Sequence, residues 1–287
     1  MTDMRARILV GCASRMGLTH VGMDISMSSG HLIATSCKMP FISPTMEREM
    51  VVSKGEVVDA SANRLLAALP GASRERLFAK TQLVSLSVEE ILYHPGDHIT
   101  SVYFPLTCVI SMMAEMKNGV TIEIATVGNE GVLGIPAFLG IDVAIARGIT
   151  QASGKARRMS VKDFKEAAKN DEFFDTILRR YTHALLMQIA LSGGCNSLHS
   201  VLERYARWLL MMHGRTNMDV FAFTQEFLSR MLGVSRARVN IVTGALEKAG
   251  LIKHSRNQIT VLDWKGLEAS SCDCYRIIKE EFARVLV

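Results

Sequence analysis

The sequence predicts an α+β protein in which a β-rich region, a long helix and a helical C-terminal region follow one another. Between about residues 88 and 160, short apolar runs are separated by turn residues, which is typical of antiparallel strands. From 171 to 192 the apolar residues recur instead at the period of a helix. Residues 224–252 then contain two short helical patterns separated by a glycine. The first region therefore predicts a small antiparallel barrel or jelly roll, and the last predicts a pair of short helices.

The composition is that of a folded protein with room for more than one core. With 287 residues, of which 48% are hydrophobic, two domains are expected. No apolar run approaches the length of a membrane-spanning helix, and residues 1–30 lack the basic-then-apolar order of a secretory signal. We therefore expect a cytoplasmic protein with no membrane partner.

Residues 1–48 differ from the rest of the chain. They are rich in Met, Ser and Gly and only weakly periodic. We expect them to be a disordered extension, or the product of a misassigned start codon, because Met46 and Met50 come just before the regular pattern begins. The β-rich domain is then expected over 49–170.

The β-rich domain begins with a helical segment and continues with about eight short strands. From Asn63 to Leu86 the apolar spacing is helical around a break at Pro70-Gly71. The strongest hairpin signal is Asn118-Gly119, because both residues tolerate the positive φ of a type I′ turn.

A single apolar stripe follows the helix predicted from Asp171 to about Ser192, where Gly193-Gly194 is expected to interrupt it. Such a seam leaves an exposed patch unless another surface covers it, so the stripe predicts a homodimer through a connector at 171–200. The residues expected in the dimer interface are Ile177, Leu178, Tyr181, Leu185 and Gln188.

Residues 224–252 fit a helix-turn-helix within a domain expected at 201–287. Thr224 can cap the first helix, Gly233 can supply the left-handed residue of the turn, and Ser235 can cap the second helix. Apolar residues fall where two packed helices need them, at Leu228, Leu232, Val234, Val239 and Val242. The sequence LIKHSRNQITVLD that follows predicts two strands, which would form a wing.

The basic excess of the chain lies in this region. Residues 225–265 contain seven basic and three acidic residues, in a chain whose net charge is +5. This excess of basic residues is what a surface that binds a polyanion would show. A basic face that contacts only solvent would show the same excess. With the apolar positions turned toward the core, the 100° step of a helix turns Arg236, Ala237, Asn240 and Ile241 outward.

A β-rich region, a long helix, LERYARWLL, TQEFLSRMLGVSRARVN and a basic wing occur in this order. From about residue 60 to 287 the chain resembles the Crp/Fnr family of bacterial transcription regulators. The resemblance implies a cyclic-nucleotide-binding-like sensor domain, a parallel dimer through the long helix, and a winged helix-turn-helix that reads a palindrome in double-stranded DNA. For an activator it also implies RNA polymerase as a partner.

The resemblance also implies which residues meet DNA. Arg236 is best placed for a guanine, while Ser235 and Arg238 are better placed for phosphates. The residues expected at the DNA are Thr224, Gln225, Ser235, Arg236, Ala237, Arg238, Asn240, Ile241, Lys253 and Arg256.

The effector-binding residues of the family are not retained. Members that bind cyclic AMP carry Gly-Glu, whose acid takes the ribose hydroxyl, and an arginine before Ser or Thr and Ala, which takes the phosphate. The matching places here read Gly131-Val132 and Ala146-Arg147-Gly148. Because Arg147 is displaced by one position, its side chain would face the other side of the strand. We expect a degenerate effector pocket at Gly131, Val132 and Arg147 that does not bind cyclic AMP.

No cofactor or metal is expected. The iron-sulfur sensing known in the family needs clustered cysteines, and Cys12 and Cys37 are far apart. Cys272 and Cys274 alone complete no tetrahedral site, so packing of the last helix is their expected role. The six cysteines, which include Cys108 and Cys195, show no disulfide framework. The histidines without metal-ligand spacing are His94, His98, His183, His199 and His213.

Two other classes of function are weighed against a transcription regulator. One is a scaffold or protein-interaction module whose helix-turn-helix is vestigial, and this is the alternative. The other is an enzyme that uses Asp97 and His98, but these residues lie in HPGDH, an ordinary hairpin turn, without a nucleophile or an oxyanion-forming glycine motif. We therefore expect that the protein is not an enzyme.

Overall fold

The computed structural model describes residues 6–12, 19–28, 31–34, 62–117 and 120–286. The chain divides into two compact units, Met1–Glu56 and Val57–Val287. In the first unit β1 (Ala6–Cys12), β2 (Thr19–Ser28) and β3 (His31–Ala34) form an antiparallel sheet in that order.

These three strands differ from the disordered extension expected over 1–48. The sequence of β2 shows why a strand forms there. Apolar residues or threonine at odd positions alternate with small or polar residues at even positions. This is the period of a strand, and it spans only ten residues of an otherwise irregular segment. The other residues of 1–48 lie outside the described part of the chain.

The second unit begins with two short helices and continues with two antiparallel sheets, which we call the β-roll. The helices are α1 (Arg64–Ala67) and α2 (Gly71–Ala79). The strands are β4 (Gln82–Leu86), β5 (Ile91–Tyr93), β6 (Ser101–Pro105), β7 (Val109–Glu115), β8 (Thr121–Val127), β9 (Arg147–Ala152) and β10 (Gly154–Ser160), and α3 (Ile135–Phe138) follows β8. The sheet orders are β4-β10-β6 and β5-β9-β7-β8. The predicted β-rich region is confirmed, with seven described strands.

The strongest predicted hairpin joins β7 and β8. These strands pair antiparallel, with Glu115 opposite Thr121, and the Met116 N–H donates to the Val120 carbonyl at 2.9 Å. Asn118-Gly119, on which the prediction rested, lies between the two strands and outside the described residues.

Two helices follow the β-roll, α4 (Val161–Asn170) and α5 (Glu172–Leu198). α5 continues through Gly193-Gly194, where an interruption was expected. A helical glycine costs about 1 kcal/mol relative to alanine, which weakens a helix without ending it. Ser192 and Cys195 are buried on either side of the two glycines, so tertiary packing holds these turns in the helix.

The apolar stripe of α5 is buried inside its own chain, which corrects the predicted dimer interface. All five predicted residues are buried here: Ile177, Leu178, Tyr181, Leu185 and Gln188. The last helix, α10 (Cys274–Val285), supplies part of the cover, since the rings of Tyr181 and Phe282 lie 6.0 Å apart. The β-roll supplies another part, because the Gln188 amide donates to the Thr126 carbonyl at 3.0 Å. An apolar stripe shows that a surface is covered, but it does not say whether the same chain or a second copy covers it.

The remaining elements form a winged helical bundle. They are α6 (Val201–Thr216), β11 (Val220–Ala222), α7 (Gln225–Leu232), α8 (Arg236–Lys248), β12 (Ile252–Ser255), β13 (Gln258–Val261) and α9 (Trp264–Ala269), followed by α10. The strands pair in the order β11-β13-β12. A core around Tyr205, Phe221 and Phe227 holds helices and strands together. Among the described helices, none is long and apolar enough to cross a membrane.

Candidate nucleic-acid interface and β-roll pocket

The turn between α7 and α8 has the local structure that the sequence predicts. Thr224 Oγ1 accepts the Phe227 N–H at 3.0 Å, and Ser235 Oγ accepts the Arg238 N–H at 3.3 Å, so each helix has a side-chain cap. Gly233 ends α7 with φ = +62°, in the left-handed region that glycine adopts without strain. Local hydrogen bonds and one backbone conformation therefore fix the angle at which α8 leaves the turn.

The two faces of α8 are sharply different. Of the predicted apolar positions, Leu228 and Leu232 on α7 and Val239 and Val242 on α8 are buried, and Val234 in the turn is partly buried. Leu246 extends the buried face of α8. On the opposite face Arg236, Ala237, Asn240 and Ile241 are exposed, and Ile241 has 64% of its surface accessible. An exposed isoleucine at the centre of a polar face contributes nothing to this core, so it is available to a partner.

Arg236 already has an acidic partner within the chain. Its guanidinium forms an ion pair with Glu226 in the first turn of α7, and both side chains are about half exposed or more. A surface ion pair of this kind contributes at most about 1 kcal/mol, because water competes for both charges. Arg236 can therefore exchange Glu226 for a stronger acceptor at little cost.

The wing is formed by β12, β13 and their connecting turn. Arg256 and Asn257 have positive φ values of 20° and 62° at the turn, and Arg256 and Lys253 are exposed. The wing is held close to the helices because Glu247 Oε1 accepts the His254 N–H at 3.0 Å. Gln225 is half-buried and its amide lies 3.4 Å from His254 Nε2, so this residue faces the wing rather than lying freely beside α8.

The helix-turn-helix also packs on the β-roll. A side chain at Gly233 would place its Cβ 2.8 Å from Ile122 Cδ1 on β8, so the glycine is required for close approach as well as for its φ. The Arg230 guanidinium pairs with Glu89, and Ser111 Oγ lies 3.6 Å from Met231 Sδ. The turn is therefore in direct contact with the strands of the β-roll.

A buried polar cluster lies on those strands. Glu123 accepts hydrogen bonds from Ser111 Oγ at 2.8 Å and from Gln151 Nε2 at 3.1 Å. Burial raises the pKa of Glu123 to about 7, because removal from water disfavours the charged carboxylate, and the hydrogen bond from Ser111 opposes this.

A second buried polar network joins the β-roll to α6, and no pattern in the sequence indicates it. Arg215 Nη2 lies 2.8 Å from Glu130 Oε1 and also donates to Gln188 Oε1 at 3.2 Å. Both charged side chains are almost fully buried, where an ion pair is favourable only with such additional hydrogen bonds. The two residues are 85 positions apart, so no local pattern predicts the pair.

An apolar pocket of about 250 Å³ lies between the β-roll and α5. Its lining includes Val132, Leu133, Ile135, Ala146, Leu185 and Leu186. No lining residue is charged. Its two side-chain hydroxyls already have acceptors, because Thr182 Oγ1 donates to the Leu178 carbonyl at 2.7 Å and Tyr93 donates to the Ser101 carbonyl. This pocket therefore suits an apolar molecule.

The three predicted pocket residues are not brought together. Val132 lines the pocket, Gly131 instead packs against the Tyr181 ring, and Arg147 is absent from the lining. Arg147 forms an ion pair with Glu115 of β7 at 2.7 Å. Arg147 therefore has a carboxylate partner on the neighbouring strand, and its assignment as a surface residue rather than a phosphate ligand stays a prediction.

Two further candidates have clear local roles. Asp97 Oδ2 accepts the His94 N–H at 2.7 Å and so stabilises the HPGDH turn, while His98 pairs with Val143 as an isolated bridge.

Cys272 and Cys274 do more than pack the last helix, because they lie in one cluster with Cys195 and His199. Burial raises the pKa of the separate Cys108 thiol to about 12.

Comparison with known proteins gives one family match and several structural ones. Residues 203–270 match the family model of the Crp-like helix-turn-helix domain. FixK2 from Bradyrhizobium japonicum has a TM-score of 0.58 and 17% identity, over 67% of this chain and 98% of its own. The c-di-GMP responsive global regulator CLP of Xanthomonas campestris has a TM-score of 0.55 and 15% identity, over 68% of this chain and 100% of its own.

A third structure, described as a transcriptional regulator of the Crp/Fnr family from Eubacterium rectale, has a TM-score of 0.57 and 16% identity. The match covers 75% of this chain and 99% of that protein. No curated protein matches the chain. At these identities the likeness is one of fold, so the chain has the fold of Crp/Fnr-type transcription regulators and carries a Crp-like helix-turn-helix domain.

Proposed function

We propose that this protein is a homodimeric, sequence-specific DNA-binding transcription regulator in which α8 enters the major groove. The observation that carries the proposal is the exposed face of α8, where Arg236, Ala237, Asn240 and Ile241 project from a helix whose opposite face is fixed in the core. A recognition helix requires this combination, because base contacts need a rigid helix with exposed side chains on one side. Such a regulator acts in the cytoplasm, and as an activator it would also contact RNA polymerase.

The contacts with DNA divide by chemistry. Arg236 reads a guanine through O6 and N7 after leaving Glu226, and Ile241 with Ala237 meets thymine methyl groups. Ser235, Arg238, Lys253 and Arg256 are exposed beside this face and bind phosphates, together with the N-terminal turn of α7 at Thr224. Gln225 faces the wing, so it would have to turn before it contacts DNA.

The dimer uses the outer face of α5 rather than the buried stripe. Leu186 is 60% exposed there, and the nearby pocket residues Leu139, Ile141 and Ile145 are also more than half exposed. A contiguous apolar patch of this kind on a soluble protein is covered by a partner, and a second copy of the chain is the occupant that fits a two-fold regulator. In a two-fold dimer formed through this face, the two recognition helices require half-sites about 34 to 36 Å apart.

The β-roll pocket is the site for an effector of apolar character. It borders α5 through Thr182, Leu185, Leu186 and Ile189, so an occupant would press on the helix that forms the dimer. A cyclic nucleotide carries a phosphate that needs a cationic partner when it is buried, and no charged residue lines the pocket.

A binding selection on randomised duplexes tests the proposed function. The parent protein should select an inverted repeat. Arg236→Ala should lose preference at one base position of each half-site, at a cost of about 1 to 3 kcal/mol, because a bidentate contact is removed. Arg238→Ala is the matched control, and it should weaken binding to all sequences alike.

The same selection separates the alternative function. If the parent selects no inverted repeat, or if Arg236→Ala leaves the selected motif unchanged, α8 is not a recognition helix. Duplex binding that is absent, or that does not weaken with salt, would favour a scaffold with a vestigial helix-turn-helix.

A further inference from the structure

Four potential metal ligands from distant parts of the chain meet at the end of α5. They are Cys195 in the last turns of α5, His199 at its C-terminal cap, Cys272 before α10 and Cys274 at the start of α10. Their ligand atoms all lie within 4.8 Å of one another. Cys195 Sγ is 3.5 Å from Cys272 Sγ, and Cys274 Sγ is 3.7 Å from His199 Nδ1.

We propose that this cluster is a structural zinc site with three thiolate ligands and one imidazole ligand. Three cysteines and one histidine form a closed ligand set of the kind that structural zinc sites use, with no position left for water. Thiolate and imidazole are the ligands that select zinc over the hard cations calcium and magnesium. The inference does not rest on the proposed DNA binding.

The distances support a single ion rather than a cluster. With Zn–S bonds of about 2.3 Å and Zn–N bonds of about 2.0 to 2.1 Å, tetrahedral geometry places neighbouring ligand atoms about 3.6 to 3.8 Å apart. The Sγ–Sγ separation of 3.5 Å and the Sγ–Nδ1 separation of 3.7 Å are close to these values, and the upper limit of 4.8 Å for the other pairs leaves only a small contraction. An iron-sulfur cluster inserts several iron and sulfide ions between its thiolates and needs a wider spacing.

The local fold explains why these ligands converge. Cys195 and His199 are four residues apart at the end of a helix, so they lie on the same side of it. Cys272 and Cys274 are separated by Asp273, and their backbone turns into α10, which packs along α5. The two pairs are therefore brought face to face by the packing of α10 on α5.

The surroundings supply what a zinc site needs beyond its ligands. His199 Nδ1 faces Cys274 Sγ at 3.7 Å, while Nε2 on the other side of the ring lies 3.8 Å from Asp273 Oδ1, which is too long for a hydrogen bond. A small approach of Asp273 would complete the carboxylate–histidine–zinc arrangement that orients histidine ligands in zinc sites.

Arg207 provides an independent observation. Its side chain is buried and interacts electrostatically with all three thiols and with the Glu123 carboxyl, yet in the described part of the chain it forms no ion pair within 4.0 Å and its Nε has no hydrogen-bond partner. A buried cation without a counter-ion is costly. Three thiolates around Zn²⁺ carry one net negative charge, which would add to the Glu123 carboxyl in balancing the charge of Arg207.

The proposed zinc site lies beside the turn that joins α5 to α6. α5 ends at Leu198 and α6 begins at Val201 with Ser200 as its cap, so the ligands surround the point where the chain changes direction. Zinc would link the end of α5 to the start of α10 beside this turn. Its loss should loosen α10 and expose the α5 surface that α10 covers.

Metal analysis of the purified full chain tests the proposal. Protein prepared under reducing conditions without chelator should contain one zinc ion per chain by elemental analysis. After removal of zinc, Co²⁺ should give the visible absorption of tetrahedral cobalt and the near-ultraviolet absorption of several thiolate-cobalt bonds. Zinc-free protein that also gives no such spectrum when Co²⁺ is added would overturn the inference, and so would a Cys195–Cys272 disulfide in place of metal.

Variants locate the ion. Cys272→Ser and Cys195→Ser should each retain at least tenfold less zinc per chain than the parent protein. Cys108→Ser, which removes a buried thiol outside the cluster, should retain as much zinc as the parent. His199→Cys should keep a tetrahedral cobalt spectrum and His199→Ala should weaken binding, a contrast that a merely structural histidine would not give. Zinc retained fully in both serine variants would contradict the assignment. If those variants fail to fold, the cobalt spectrum of the unaltered chain and its release of zinc on thiol modification still decide the question.

Discussion

The helix-turn-helix and the β-roll pocket lie in one compact unit, yet they retain the Crp/Fnr pattern to different extents. In the helix-turn-helix, the two caps and the left-handed glycine all occupy the expected places. In the pocket, Val132 is an apolar lining residue and Arg147 lies outside the lining, paired with Glu115. That the acid and the phosphate-binding arginine of the family are missing from these places stays a prediction.

The difference has a physical cause. Each feature of the turn stabilises the backbone of the turn, so its loss costs folding free energy as well as function. A ligand-binding acid in an apolar pocket would contribute nothing to stability and would add a desolvation cost, whereas an apolar residue such as Val132 adds none. The fold therefore tolerates a new pocket chemistry more readily than a new turn.

The largest effect on stability is expected from a charge introduced into α5 where this helix borders the pocket. Leu185 is 4% exposed and Leu186 is 60% exposed, although they are neighbours in sequence. Leu185→Asp should destabilise the chain by about 3 to 5 kcal/mol, because it buries an uncompensated charge. Leu186→Asp should leave the free energy of unfolding of the monomer nearly unchanged and dissociate the dimer.

Denaturant unfolding and analytical ultracentrifugation of both variants check this pair. Leu83→Asp, at an exposed leucine on β4 outside the proposed face, is the control and should remain dimeric. A parent protein that is monomeric at micromolar concentration would rule out the dimer. A Leu185→Asp chain as stable as the parent would contradict the burial of the stripe.

A smaller effect is expected at the turn. Gly233→Ala should cost about 1 to 2 kcal/mol for the left-handed backbone, and more because its Cβ meets Ile122. Gly193→Ala is the matched control, since that helical glycine has open space around it and should gain about 0.5 to 1 kcal/mol. Thermal and urea unfolding measure both. Equal effects of the two substitutions would show that the turn geometry does not limit stability.

A still smaller effect is expected at the Arg236–Glu226 pair. Glu226→Gln should release Arg236 and tighten binding to the selected duplex by up to about five-fold, since a surface ion pair contributes at most about 1 kcal/mol. Glu268→Gln removes the same charge at another exposed site of the domain and controls for repulsion of the phosphates. Fluorescence anisotropy with labelled duplex gives the affinities. An equal gain in both variants, or a gain that persists with Arg236→Ala, would exclude release of this arginine.

No effect is expected from cyclic AMP. Titration calorimetry should show no binding to the β-roll pocket, because its lining offers neither an acid for the ribose nor a cation for the phosphate. Cyclic AMP should also leave the thermal midpoint of unfolding unchanged. A micromolar or tighter affinity that is lost in Arg147→Ala would overturn this account of the pocket.

The sequence predicted those parts of the fold that depend on neighbours in the chain. The caps at Thr224 and Ser235, the left-handed Gly233 and the buried face of α8 follow from spacing alone, as does the pairing of β7 with β8. Gly193 and Gly194 do not interrupt α5 as their local propensity predicts, because a cost of about 1 kcal/mol each is outweighed by packing on both sides. The alternation in β2 was missed because it is short and flanked by irregular sequence.

By itself the sequence determined the order of the elements, the helix-turn-helix and its outward face, since hydrophobic period, caps and turn residues act within a few positions of one another. Only the tertiary structure decided that α10 covers the stripe of α5, that Arg215 pairs with Glu130, and that Cys195 and His199 meet Cys272 and Cys274 across 77 residues from Cys195 to Cys272. An apolar face, a buried charge or a thiol each requires a partner, and any complementary group in the chain can satisfy that requirement. Which group does so is set by how the helices pack, and this is a property of the whole fold rather than of any segment.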